Sequence, residues 1–119
     1  IWWKIYLIID YENGTYKVVS TKSFNKAIKK VYKQGKDLTK LNTLINKLIN
    51  CETLDLRYKN HLLINDRYYK DCYECHIEPD WLLIYKYDNN KLILILVETG
   101  SHSNLFRKFW KGLFILSQM

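Results

Sequence analysis

Between residues 72 and 98 three strand-like runs follow one another with almost nothing between them, and this restricts the topology more than any other feature of the chain. CYECHIE (72–78) alternates along its length, WLLIYKY (81–87) is more continuously apolar, and KLILILVE (91–98) is the third run. Glu78-Pro79-Asp80 joins the first two, and Asp88-Asn89-Asn90 is a good hairpin turn before the third. Parallel strands need a crossover of about a dozen residues or more, so connections this short dictate an antiparallel meander.

The meander is preceded by a different pattern. TYKVVS (15–20) is β-branched and aromatic and reads as a strand. Ser23 is placed to cap a helix in which Phe24, Ala27, Ile28, Val31 and Tyr32 form one apolar stripe, with Lys26, Lys29, Lys30 and Lys33 on the wet side. Gly35 is a natural stop. Asp37 caps a second helix carrying Leu38, Leu41, Leu44, Ile45, Leu48 and Ile49 on one face. The short QGKD connection makes the pair an antiparallel hairpin. Residues 51–70 show no period and read as a surface loop. The expected fold is α+β, with both helices packed on one face of the sheet.

A chain of 119 residues fits one domain with a modest core, and 48% hydrophobic residues exclude disorder. A net charge of +7, with ten tyrosines and four tryptophans, suits a polyanion, nucleic acid first. No apolar run reaches the roughly 18 residues of a membrane span, and IWWKIYLIID lacks the basic start and small-residue cleavage site of a signal peptide. Three cysteines, an odd number, argue against a disulfide framework and for reduced thiols in a cytoplasm.

Cys72-Tyr73-Glu74-Cys75-His76 spells the C-x-x-C-H of covalent haem attachment. It lies inside a strand, and the single Met is Met119 at the end of the sequence, which leaves haem without a flexible attachment loop and a well-placed second axial ligand. Zinc held by Cys51, Cys72, Cys75 and His76 meets another obstacle: strand alternation points Cys75 and His76 to opposite faces. The cysteines read as small, partly buried hydrophobes. The same alternation puts Glu74, His76 and Glu78 on one face with Asp80 at the turn beyond. The other two histidines, His61 and His102, flank the meander, a set suited to acid–base work.

YECHIEPDWLLIYKY followed by LILILVETGSHSNLF strongly resembles the YafQ branch of the RelE/ParE toxin superfamily, and SFNKAIKKVYKQGKDLTKL resembles that family's lysine-rich helical hairpin. The resemblance runs from Tyr16 to Phe106, which sets a toxin domain at 16–106 and leaves 1–15 and 107–119 as extensions. It implies a β-α-α-β-β-β order with a four-stranded, mostly antiparallel sheet and a short C-terminal helix. It implies a type II toxin that cuts mRNA on the ribosome, using the RNA's own 2′-hydroxyl and no metal or other cofactor, with an antitoxin, the ribosome and mRNA as partners and no membrane. His61, His76, Asp80 and His102 match the catalytic set, with His102 as general acid and either His61 or a His76–Asp80 pair as base and orienter. Glu74 matches an acidic residue near the substrate, and Phe106 the aromatic that stacks on mRNA. Lys29 and Lys33, with Lys36 and Lys40, are expected against ribosomal RNA phosphates. The competing readings are an inactive toxin-like module that binds only antitoxin or RNA, and a ParE-like topoisomerase poison.

Overall fold

The computed structural model describes residues 16–106. The extensions 1–15 and 107–119 fall outside these residues, and with them Phe109, Trp110, Leu113 and Phe114, which recur with Phe106 at helical spacing in the sequence. The elements run β1 (Lys17–Ser20), α1 (Lys22–Lys33), α2 (Leu38–Ile49), a single 3₁₀ turn (Leu56–Tyr58), β2 (His61–Leu62), β3 (Tyr73–Glu78), β4 (Trp81–Asp88) and β5 (Ile93–Gly100). Residues 102–106 are helical. None of the described helices is long and apolar enough to cross a membrane.

The meander is present, with β3, β4 and β5 antiparallel in sequence. The Asp88 carboxylate closes the second turn by accepting from the backbone N–H of Asn90 at 3.1 Å and of Lys91 at 3.2 Å. β1 adds to the far side of β5 in parallel. The sheet has five strands, ordered β1-β5-β4-β3-β2, where four were expected. The fifth is β2, a two-residue strand inside the segment read as loop. It pairs His61 with Glu74 and Leu62 with Tyr73 along the free edge of β3. A pairing this short carries no hydrophobic period of its own; the unpaired backbone groups of the β3 edge select it.

α1 begins earlier than expected, with Thr21 rather than Ser23 as its cap. The Thr21 hydroxyl accepts from Phe24 N at 3.0 Å and donates to the Val97 carbonyl of β5 at 2.6 Å, so one side chain caps the helix and ties it to the sheet. Gly35, at φ +84°, sits just past the helix in the left-handed region. Asp37 caps α2 through Thr39 N at 3.0 Å, as its position suggested.

β4 is buried on both faces, which explains its continuous apolar run. Trp81, Leu83 and Tyr85 face the helices and join Phe24, Ile28, Leu41, Leu44 and Ile45 in the main core. Leu82 and Ile84 face the other way, into a smaller cluster with Cys72 and Leu105. Trp81 Nε1 donates to Thr99 Oγ1 at 3.0 Å, and Thr99 Oγ1 donates to the Leu82 carbonyl at 2.7 Å, so the start of β4 is stitched to the end of β5.

Candidate active site

Three histidines and two carboxylates from distant parts of the chain meet at one end of the sheet. The β2–β3 register sets His61 directly across from Glu74, and strand alternation puts His76 on the same face two residues on. Glu74 is buried, and its Oε1 lies 3.2 Å from His76 Nε2 and 3.9 Å from His61 Nε2. His76 Nδ1 lies 3.3 Å from the Pro79 carbonyl, so an imidazole that takes up a proton there finds an acceptor at each nitrogen. His61 Nδ1 lies 2.7 Å from the Lys59 carbonyl, a pure acceptor. That hydrogen bond places the hydrogen on Nδ1 and the lone pair on Nε2.

The expected alternation breaks after His76. A register shift between His76 and Glu78 takes Glu78 out of the row that holds Glu74 and His76. Glu78 instead accepts from Lys36 Nζ and Lys40 Nζ, both at 2.9 Å. These lysines therefore have a structural partner within the fold, while both stay partly exposed. Hydrogen bonds from Lys40 first and then Lys36 hold the Glu78 carboxyl below the usual carboxylate range. The pair clamps the helical hairpin to the β3–β4 turn.

Asp80 follows that turn and meets His102, not His76, so the His76–Asp80 pair is replaced by an Asp80–His102 pair. Asp80 Oδ1 accepts from the His102 backbone N–H at 3.0 Å and from ring Nδ1 at 2.7 Å. These bonds, the backbone one first, hold the Asp80 carboxyl below its ordinary value. Gly100 makes the approach possible. Its φ is +148°, a conformation that L side chains rarely adopt, at the point where β5 turns into the helical residues 102–106; an added Cβ would itself make only ordinary contacts, 3.5 Å from Asn104 Cβ and 3.6 Å from Leu105 Cδ2. The His76 and His102 rings lie 5.4 Å apart, and Phe106 lies 6.4 Å from His102.

The sequence does not reveal the support behind these groups. Tyr69 packs edge-on to Phe106 at 6.0 Å and donates to the Leu105 carbonyl at 2.9 Å. Tyr85 donates to Asn60 Oδ1, one residue before His61. The Lys59 and Pro79 carbonyls that orient His61 and His76 are backbone groups, for which no residue type is a signal. Lys29 and Lys33 stand exposed on α1, in the helical layer, whereas β2, β3, the turn after β3 and residues 102–106 build the histidine cluster.

Cys72 and Cys75 lie in the two separate apolar clusters, and burial pushes both thiols up, away from the reactive thiolate. Replacing both with alanine should leave the site's chemistry intact and cost a modest amount of stability, about 1 kcal/mol per buried group. Urea unfolding and an activity assay of the double variant check this, and stoichiometric zinc bound through the thiols would contradict it. Donor atoms of Glu74, His76 and His102 do lie within 4.8 Å of one another, so a cation could seat there.

Two helices laid on one face of a mixed sheet, with histidines and carboxylates gathered at an open end, define a small RelE-like toxin. The family model described as a bacterial toxin of the type II toxin–antitoxin system, YafQ, matches residues 16–107, and the chain belongs to that family. The mRNA interferase toxin YafQ of Escherichia coli K12 is 40% identical over 85 residues, covering 70% of this chain and 87% of that protein. The crystal structure of the E. coli DinJ–YafQ complex superposes with a TM-score of 0.68 at 36% identity, covering 76% of this chain and 98% of that one. A metal-bound toxin from Helicobacter pylori has a TM-score of 0.69 at 38% identity, covering 75% of this chain and 97% of that one.

Proposed function

We propose that this toxin is an endoribonuclease that cuts mRNA on the ribosome by metal-free acid–base catalysis, and that an antitoxin holds it inactive in the cytoplasm. The observation that carries the reading is the way two histidines are held. His61 and His102 each have Nδ1 occupied by an acceptor, which leaves Nε2 as the nitrogen available for proton transfer. One such ring can take a proton and the other can give one. His61 Nε2 removes the proton of the 2′-hydroxyl. The resulting oxygen attacks the adjacent phosphorus, and the P–O5′ bond breaks to leave a 2′,3′-cyclic phosphate. Protonated His102 Nε2 gives its proton to the departing 5′-oxygen, and Asp80 steadies the charged ring. The pair of buried Glu74 and partly exposed His76 orients the phosphate, while Phe106 offers a face for an unstacked base. The positive face of α1 draws the toxin to ribosomal RNA.

The test maps cuts in mRNA with and without translating ribosomes. Cleavage is expected only with ribosomes, unchanged by chelators that leave the ribosomes intact. Lys29→Glu with Lys33→Glu should weaken ribosome association and make it less sensitive to salt, the slope falling by about one for each phosphate the lysines no longer neutralise. Equal cutting of naked RNA would refute the ribosome requirement. Absence of any cut would leave an inactive binding module as the better account.

A further inference from the structure

A cavity of about 470 Å³ opens on the far side of His76, between α2, the 3₁₀ turn and the β3–β4 turn. A volume of this order takes a small ligand such as one nucleotide. Lys40 from α2, and Arg57 and Lys59 from the 3₁₀ turn and its end, line it together with Tyr58, His76 and Glu78. Glu78 is already matched by Lys36 and Lys40. Among the described residues no carboxylate forms an ion pair with the Arg57 guanidinium or the Lys59 ammonium, and Asp55 accepts only from the Arg57 backbone N–H at 3.0 Å. Arg57 is preorganised: its guanidinium lies 4.8 Å over the Tyr58 ring and its Nη2 donates to the Tyr58 hydroxyl at 2.9 Å. Lys59 is the residue whose carbonyl orients His61. The cavity is thus cationic, and it meets the histidine cluster through His76, which lines it, and through Lys59, which holds His61.

We infer that this cavity is a second RNA subsite, holding the nucleotide that carries the attacking 2′-hydroxyl, with Arg57 and Lys59 gripping that nucleotide's 5′-phosphate. The inference rests on the ribonuclease reading above, with His61 as base. The nucleotide upstream of the cut must then lie beside His61, and the leaving nucleotide beside His102 and Phe106. Arg57 and Lys59, the cations of the cavity wall that no described carboxylate matches, sit where the upstream strand continues. A guanidinium fixed on a tyrosine loses little freedom when it binds a phosphate.

The probe is adenosine 3′,5′-bisphosphate, compared with adenosine 3′-monophosphate, titrated into the full chain and followed by NMR of the arginine Nε–H and histidine ring signals. The bisphosphate should bind about tenfold tighter or more, the size of a charged hydrogen bond. It should shift Arg57 and His76. Arg57→Gln with Lys59→Asn should erase that advantage while keeping 3′-monophosphate binding. Asparagine suits position 59, whose φ is +48°. Thermal unfolding and antitoxin binding show that the variant is folded. Equal affinity for the two nucleotides, or shifts confined to His102 with Arg57 and His76 unmoved, overturns the subsite. On ribosomes the same variant should lose about tenfold in single-turnover cleavage. If wild-type protein cuts no mRNA, the ribonuclease reading fails, and the nucleotide titration still decides the subsite by itself.

Discussion

Replacing His102 with alanine is expected to slow single-turnover cleavage of ribosome-bound mRNA by about 10²–10⁴-fold, the contribution typical of one positioned proton donor. The protein should remain folded and bind antitoxin as before. The His102 side chain is about half exposed and supports neither apolar cluster, so its loss leaves no cavity. Asp80→Ala should also be slow, because the ring would lose the bond that fixes Nδ1, and the double variant should fall short of the sum of the two effects. Asp80 further predicts a pH signature. Its folded value is depressed, so whatever stability it adds is present above the carboxylate's unfolded pKa and is lost as pH falls through the lower folded value. Asp80 therefore stays ionised well into the acid range and should not produce an acidic limb of the rate profile near neutrality. Wild-type rates for both His102→Ala and Asp80→Ala in folded protein would remove the acid–base assignment.

The other large effect concerns the residue after Asp80. Trp81→Ala should destabilise the fold by about 3–5 kcal/mol, the range for a buried aromatic truncated to alanine. That is a large share of the roughly 5–15 kcal/mol that holds a domain together. Trp81 is 1% exposed and fills the main core from the first position of β4, with its indole N–H on Thr99. Trp81→Phe keeps most of the apolar volume, and Thr99 still has the Leu82 carbonyl, so its cost should be about 1 kcal/mol, one hydrogen bond. Urea unfolding midpoints measure both. Cleavage per folded Trp81→Phe molecule should stay near wild type, since the Glu78 clamp and the Asp80–His102 bonds hold the turn independently. A Trp81→Ala variant within about 1 kcal/mol of wild type, a tolerance taken from the hydrogen-bond scale, would show that the site's turn is not anchored in the core.

How far the fold could be read locally differs by element. The helical hairpin follows from one apolar stripe per helix, with Gly35 and Asp37 acting where they stand, and the meander follows from turns too short for any other path. These are properties of a few consecutive residues, governed by the periods of helix and strand and by turn chemistry. Ser23 and Thr21 are equivalent as caps in sequence, and the Val97 carbonyl, 76 residues away, selects Thr21 as the start of α1. The histidines and carboxylates were legible as chemistry, and their resemblance to a family pattern brought them together as a set. Their pairings were not legible. A two-residue strand with no period decides that His61 faces Glu74. One irregularity after His76 sends Glu78 to the lysines, and a glycine-bearing turn at the end of β5 brings His102 onto Asp80, 22 residues apart. Register and bulges are set by the summed backbone hydrogen bonds and packing of the whole sheet, and a single residue's shift in either moves every side chain beyond it to the other face.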